Sequence, residues 1–285
     1  MSPTVGPAPF PMGACDSHIH VYDHRFPSAP TTVLEPPDAT LDDYAADLAE
    51  LGITRTVIVQ PTTYGLDNRC QLDAVAVLGT EKARAVVVID RTVSRAQLDE
   101  LHERGARGAR FHMLPGGSVG WDELGPVGER IADLGWHVQL QLDGRELPRH
   151  LPALAALPCD LVVDHIGRFM PPVPPDHPSF AALLGLVERG AWVKLSAPYE
   201  SDPSAAPAFP AASELARRLV ATRPDRMLWA SNWPHPGQPA ALEAPQLVDL
   251  LADWSPDAAV RRTILVDNPA RLYGFGPVGG DQPAA

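Results

Sequence analysis

Short apolar, β-branched runs alternate with helix-length segments eight times along this 285-residue chain, and few folds accept that alternation. Strands are expected at Cys15–Tyr22, Thr56–Gln60, Ala85–Ile89, Gly108–His112, His137–Leu142, Leu161–Asp164, Trp192–Leu195 and Met227–Ala230. Helices are expected over Leu41–Leu51, Asn68–Leu78, a segment opened by Ser94, Asp122–Leu134, Glu146–Leu157, Ser179–Arg189, Ser213–Thr222 and a segment ending near Trp254. Thr40 and Ser179 supply N-cap hydroxyls, Ser94 with Gln97 forms a capping-box pattern, and Gly52, Gly79, Gly105 and Gly135 stop the preceding helices. Pro256–Leu265 and Pro269–Tyr273 read as terminal helices. Parallel strands joined by right-handed helical crossovers close on themselves, so the expected fold is α/β, a single (β/α)8 TIM barrel. An open doubly wound sheet would carry a Gly-rich phosphate loop after its first strand, where this chain has Tyr22-Asp23-His24-Arg25. Residues 1–13 read as a Pro/Gly-rich arm, 14–275 as the barrel with long Pro-rich loops at its C-terminal face, and 276–285 as a tail.

Charge narrows the partners. A net charge of −12 argues against nucleic acid and anionic membrane surfaces. The first 14 residues lack the basic and apolar regions of a signal peptide, and no apolar run reaches membrane-spanning length. Cys15, Cys70 and Cys159 are odd in number and follow no metal-ligand spacing, which fits a reducing, cytoplasmic compartment. The expected partner is therefore a small molecule.

Barrel enzymes place reacting groups at the C-terminal ends of the strands. Here those ends carry His18 and His20, Gln60, Asp90, Arg110 and His112, Gln141 and Asp143, Asp164 and His165, Lys194 and Ser196, and Asn232. Asp16, His18 and His20 alternate along the first strand, so both imidazoles point to one side and can converge on one metal or substrate, about 7 Å apart along the backbone. The bland reading is two polar residues on a wet strand face. His165 is the candidate base, against a structural histidine satisfied by Asp164. Arg110, Lys194 and Arg168 can hold a carboxylate, although Arg168 on a loop can equally make a surface ion pair. Tyr22, Tyr64 and Tyr199 can add hydroxyl contacts or simply pack. His112 is ambiguous, while His137 reads as structural and His235 as a brace for its loop.

Asp-Ser-His-Ile-His at 16–20, Val-Asp-His-Ile-Gly-Arg at 163–168 and Trp-Ala-Ser-Asn-Trp-Pro-His at 229–235 resemble the amidohydrolase superfamily. The resemblance runs on to Asp-Asn-Pro-Ala-Arg-Leu-Tyr at 267–273. It is strongest to the branch of small barrels that includes 2-pyrone-4,6-dicarboxylate lactonases, sulfomuconolactone hydrolases and D-galactarolactone isomerases. Leu114-Pro115-Gly116-Gly117, Gln141-Leu142-Asp143-Gly144 and Tyr199-Glu200-Ser201 lean toward the isomerases. The resemblance implies His18, His20, His165 and Asn232 as catalytic residues. Arg110, Arg168, Gln141, Lys194, Tyr199 and Gln60 are then expected to bind substrate. Most of the superfamily has Asp where Asn232 stands, and that carboxylate binds metal and activates water. An amide does neither well, which implies a metal-free lactone isomerase acting on a carboxylated sugar-acid lactone. His18 departs in the other direction, since the isomerase pattern lacks the first histidine of the pair. Hydrolysis of a carboxylated lactone is thus the alternative reading, and a His18, His20, His165 zinc site the alternative cofactor. A zinc-dependent decarboxylase and a catalytically inactive binding barrel are the remaining readings.

Overall fold

The computed structural model describes residues 10–238 and 242–277, the side chains of 46–50 excepted. Eight parallel strands follow one another in sequence order: β1 Cys15–Ile19, β2 Arg55–Val59, β3 Ala83–Val87, β4 Ala106–His112, β5 His137–Gln141, β6 Leu161–Val163, β7 Trp192–Leu195 and β8 Met227–Trp229. Between and after them lie α1 Leu41–Leu51, α2 Arg69–Leu78, α3 Arg95–Glu103, α4 Trp121–Ala132, α5 Leu147–Ala155, α6 Pro178–Glu188, α7 Pro210–Thr222 and α8 Ala244–Trp254. The cylinder closes where β8 runs on beside β1. Asn232 N–H donates to the His18 carbonyl at 3.0 Å, and His20 N–H donates to the Trp233 carbonyl at 2.8 Å. This is the expected (β/α)8 barrel.

Two separate cores explain why the strands are apolar on both faces. Inside the cylinder, Cys15, Val57, Val59, Val86, Val162 and Leu228 pack together. A larger cluster, including Ile58, Val87, Phe111, Leu140, Val163 and Leu195, lies between the sheet and the surrounding helices. The C-terminal segment seals the lower rim. After α9 (Ala258–Arg262) and a π-helical turn at Thr263–Asp267, α10 (Asn268–Tyr273) places Tyr273 and Phe275 in the inner cluster. Arg84 Nε donates to the Tyr273 carbonyl at 3.0 Å.

Several boundaries differ from the sequence expectation, each for a visible reason. β3 begins at Ala83 rather than Ala85, because Arg84 is a strand residue whose guanidinium is spent on the lower rim. His177, not Ser179, caps α6: Pro178 takes the first helical position and His177 Nδ1 accepts from Ser179 N–H at 3.1 Å. α7 starts at Pro210, three residues before the expected Ser213. The Ser94–Gln97 capping box is present. Of the expected arm and tail, residues 1–9 and 278–285 lie outside the described residues. Phe10 already packs edge-on against Trp229, with ring centroids 4.9 Å apart.

Gly108 shows how tightly the interior is filled. A β-carbon there would lie 2.5 Å from His137 Nε2 and 2.6 Å from its Cε1. Real packing does not tolerate that approach, and His137 is walled in by Tyr273. Gly108→Ala is expected to lower unfolding free energy by about 1–3 kcal/mol, read from chemical denaturation. Unchanged stability would show that the ring can move aside.

Candidate active site

The first strand is the key to the site, and it is not a regular strand. Asp16 pairs with Thr56 on β2, but the next paired residue, Ile19, sits opposite Ile58. β1 therefore spends three residues where β2 spends two, a bulge that re-aims the side chains beyond it. Asp16 faces outward, accepting from Tyr44 Oη of α1 at 3.0 Å and from Ser231 N–H at 2.9 Å. Cys15 lies in the inner core. His18 and His20 then both reach the upper cavity. The expected common side for Asp16, His18 and His20 is thus corrected, since the bulge separates Asp16 from the histidines. Burial pushes the Asp16 carboxyl up to about 6.

His18 Nε2 and His20 Nε2 come to 3.2 Å of each other. His20 Nδ1 lies 2.8 Å from the Val59 carbonyl, so that nitrogen carries the proton and Nε2 presents a lone pair. His18 Nδ1 faces two donors, Lys194 Nζ at 3.3 Å and Gln139 Nε2 at 3.4 Å, while Asp164 Oδ1, 3.4 Å away, makes no hydrogen bond to it. That environment puts the His18 proton on Nε2. Both rings are neutral: burial lowers His18 well below the ordinary histidine value and His20 to about 3, aided by Lys194 and Arg110 respectively.

Lys194 lies beneath this pair with no exposure. Its ammonium donates to the Ser17 carbonyl at 2.8 Å and Gln139 Oε1 at 2.7 Å. Asp164 Oδ1 stands 3.7 Å away. Gln139 Nε2 donates to Asp164 Oδ2 at 3.0 Å. Lys194 therefore supports His18 from below instead of meeting a substrate, unlike its expected binding role. Burial lowers its pKa to about 8. Gln139 is the residue that sequence reasoning missed. The signal was present: His137, Gln139 and Gln141 alternate along an otherwise apolar strand.

His165 follows β6 at a positive φ of 54°, and its Nδ1 meets Ser196 Oγ at 2.9 Å. Its ring centroid is 4.9 Å from that of His18. Asn232, also at positive φ, is bonded through its backbone to His18 and donates Nδ2 to Tyr199 Oη at 2.9 Å. Tyr199 Oη meets His235 Nδ1 at 2.8 Å, so His235 braces this corner. The structure thus gathers His18, His20, His165 and Asn232 at one end of the barrel.

Arg110 is 4% exposed, and among the described residues no carboxylate pairs with it. Its Nη1 and Nη2 donate to the Gln60 carbonyl and Gln141 Oε1, both at 2.7 Å, while Nε has no partner. Gln141 Oε1 also meets His112 Nδ1 at 3.1 Å. Gln60 spends its side-chain amide on the Gly65 and Asp67 carbonyls and so anchors the loop above. Other expected polar groups have protein partners. Arg168 pairs with Glu200 at 2.8 Å, Asp143 with Arg145, and Asp90 accepts from Thr92 N–H at 2.8 Å. Tyr64 Oη accepts from Asp23 N–H at 2.8 Å, and the Tyr22 ring lies 6.0 Å from His20.

Among the described residues, one group of three has metal-ligand atoms within 4.8 Å of one another: His18, Asp164 and His165. His20 falls outside it, unlike the expected set. Two Nε2 atoms at 3.2 Å have the spacing of two ligands on one ion. The surroundings fit a divalent cation poorly. A metal on His18 Nε2 would leave the ring proton on Nδ1, where Asp164 Oδ1 lies at 3.4 Å but the Lys194 and Gln139 donors crowd the same nitrogen. The Lys194 ammonium, 3.7 Å from Oδ1, already places a cation against the Asp164 carboxylate.

Comparison with known proteins gives a consistent picture. The amidohydrolase family model matches residues 15–275. The chain is 38% identical over 275 residues to a D-galactarolactone isomerase from Agrobacterium fabrum, covering 94% of each. It is 37% identical over 277 residues to a 2-pyrone-4,6-dicarboxylate hydrolase from Comamonas testosteroni, covering 92% of this chain and 90% of the relative. An apo crystal structure from Agrobacterium tumefaciens superposes with a TM-score of 0.89 at 37% identity, covering 95% of this chain and 98% of that one.

Proposed function

Since this chain belongs to the amidohydrolase family, we propose that it is a lactone isomerase that moves the acyl group of a carboxylated sugar-acid lactone between two of its own hydroxyls, changing ring size. The observation that carries this reading is the amide at Asn232, buried in the cavity at the place where a water-activating carboxylate is otherwise expected. An amide holds no proton near neutral pH.

The reaction then rests on protein groups. A substrate hydroxyl attacks the lactone carbonyl, a new C–O bond forms and the old ring C–O bond breaks. His165 Nε2 takes the proton of the attacking hydroxyl and returns it to the departing oxygen, while its Nδ1–H is held by Ser196. His18 Nε2–H, bonded to His20 Nε2 at 3.2 Å in the free enzyme and polarised by the Lys194 ammonium behind it, turns to the substrate carbonyl oxygen as charge builds there and so frees His20 Nε2. His20 Nε2 accepts from a substrate hydroxyl. Arg110 holds the carboxylate, being a buried guanidinium with no protein carboxylate of its own among the described residues. Proximity within one molecule supplies much of the acceleration, so a modest base suffices.

Hydrolysis of a carboxylated lactone is the second reading, favoured by the 3.2 Å His18–His20 pair with its ligand-like spacing. Asn232→Asp separates the two. Restoring a carboxylate beside the histidines is expected to shift the first product toward the open-chain acid, most clearly with added zinc, in product analysis by NMR. Metal analysis and chelator treatment of the wild type are expected to leave lactone turnover intact. A wild type that gives mainly open acid above background overturns the isomerase reading, and turnover abolished by chelator overturns the metal-free one.

A further inference from the structure

Asn232 stands at the end of a hydrogen-bond chain that runs through Tyr199 to His235. The His235 ring is 4% exposed, and burial lowers its pKa to about 4. Asn232 Nδ2 donates to Tyr199 Oη at 2.9 Å, so the phenol's own proton is left for His235 Nδ1. Tyr199 Oη, 2.8 Å away, therefore donates to His235. A phenol has a single proton, so an oxygen that gives it to His235 can only accept from Asn232, which keeps the nitrogen of the amide on the side facing Tyr199.

The other atom of the amide, Oδ1, is buried and has no hydrogen-bond partner. The Nδ2 bond to Tyr199 holds the amide in this orientation, over a backbone kept at φ 63° with its N–H bonded to the His18 carbonyl at 3.0 Å. A buried acceptor without a donor is unfavourable until something supplies one.

We propose that Asn232 Oδ1 accepts a hydrogen bond from a substrate hydroxyl, and that Tyr199 and His235 are positioning residues that keep the amide oxygen turned toward the substrate. The inference deepens the isomerase reading and rests on it, because it selects hydroxylated lactones over flat unsaturated ones that would leave Oδ1 unpaired. It also accounts for an amide at this position. A carboxylate at 232 would compete for the Tyr199 proton and reverse the chain.

The test compares a hydroxylated carboxylated lactone with its counterpart in which that hydroxyl is replaced by hydrogen. Wild-type enzyme is expected to prefer the hydroxylated substrate by about tenfold or more in kcat/KM, the scale of one well-made hydrogen bond. His235→Leu frees the Tyr199 proton to turn toward Asn232, the amide flips, and the preference collapses. His235→Gln restores an acceptor and with it most of the preference, which a merely structural role would not require. A folded His235→Leu enzyme with its preference intact overturns the proposal. If wild type turns over no lactone, the isomerase reading falls by itself. Neutron diffraction of the resting enzyme then decides the present point: deuterons on the Asn232 atom facing Tyr199 uphold it, and deuterons facing the cavity end it.

Discussion

Replacing His165 by glutamine is expected to lower kcat by about 10²–10⁴-fold, the usual contribution of a positioned general base. Glutamine fills similar space but carries its amide at the Nε2 end of the ring, so the Ser196 Oγ partner of His165 Nδ1 is given up and the fold is checked separately by thermal unfolding. What the chemistry loses is the basic Nε2. The pH profile gives an independent check. Burial, reinforced by His18, Arg110 and Lys194, lowers the His165 pKa well below 6.5, with Asp164 opposing. A lowered pKa means the ring stays unprotonated, and so competent as a base, throughout neutral and mildly acidic pH. The acid limb of kcat should therefore lie below the ordinary histidine range in the wild type and vanish in His165→Gln. Stopped-assay rates across pH measure both effects. A variant retaining most of its activity would assign proton transfer elsewhere, and unchanged thermal unfolding would confirm that the loss is chemical.

Arg110→Met is expected to raise KM for a carboxylated lactone by roughly 30- to 1,000-fold, equivalent to about 2–4 kcal/mol for truncating one partner of a desolvated charge pair. Methionine fills comparable space with no charge. Its cost to the fold is limited to the Gln60 carbonyl and Gln141 Oε1, which each lose one donor. Arg110→Lys keeps the charge but not the two-pronged geometry, and should fall between the two. The methyl ester of the same lactone supplies the control. Its KM should barely respond to Arg110→Met if the guanidinium reads the carboxylate. Equal penalties for acid and ester would mean that Arg110 is a structural strut.

Much of the barrel was legible because its signals are local. Apolar β-branched runs, the Ser94–Gln97 box and stop glycines such as Gly79 mark units whose order admits one closed topology. The placement of His18 and His20 was legible only in part. Period-2 alternation grouped Asp16 with them, but a bulge depends on pairing with β2, and no local residue pattern announces it. Lys194 misled for a related reason. A strand-end cation reads as a ligand for substrate, whereas its depth depends on how far the strand sits inside the cylinder. Gln139 passed unnoticed because its partners, Lys194 on β7 and Asp164 just after β6, lie 55 and 25 residues along the chain. The chain from Asn232 through Tyr199 to His235 joins two loops that only barrel closure brings together.

The central claim is that the acyl group moves to a hydroxyl of the same molecule and not to water. Turnover of a carboxylated lactone in ¹⁸O-labelled water, followed by mass spectrometry and NMR, measures this directly. Internal transfer takes no oxygen from solvent, so the account predicts a ring-isomerised lactone of unchanged mass as the first product. An open-chain acid carrying one solvent ¹⁸O as the first product would contradict it.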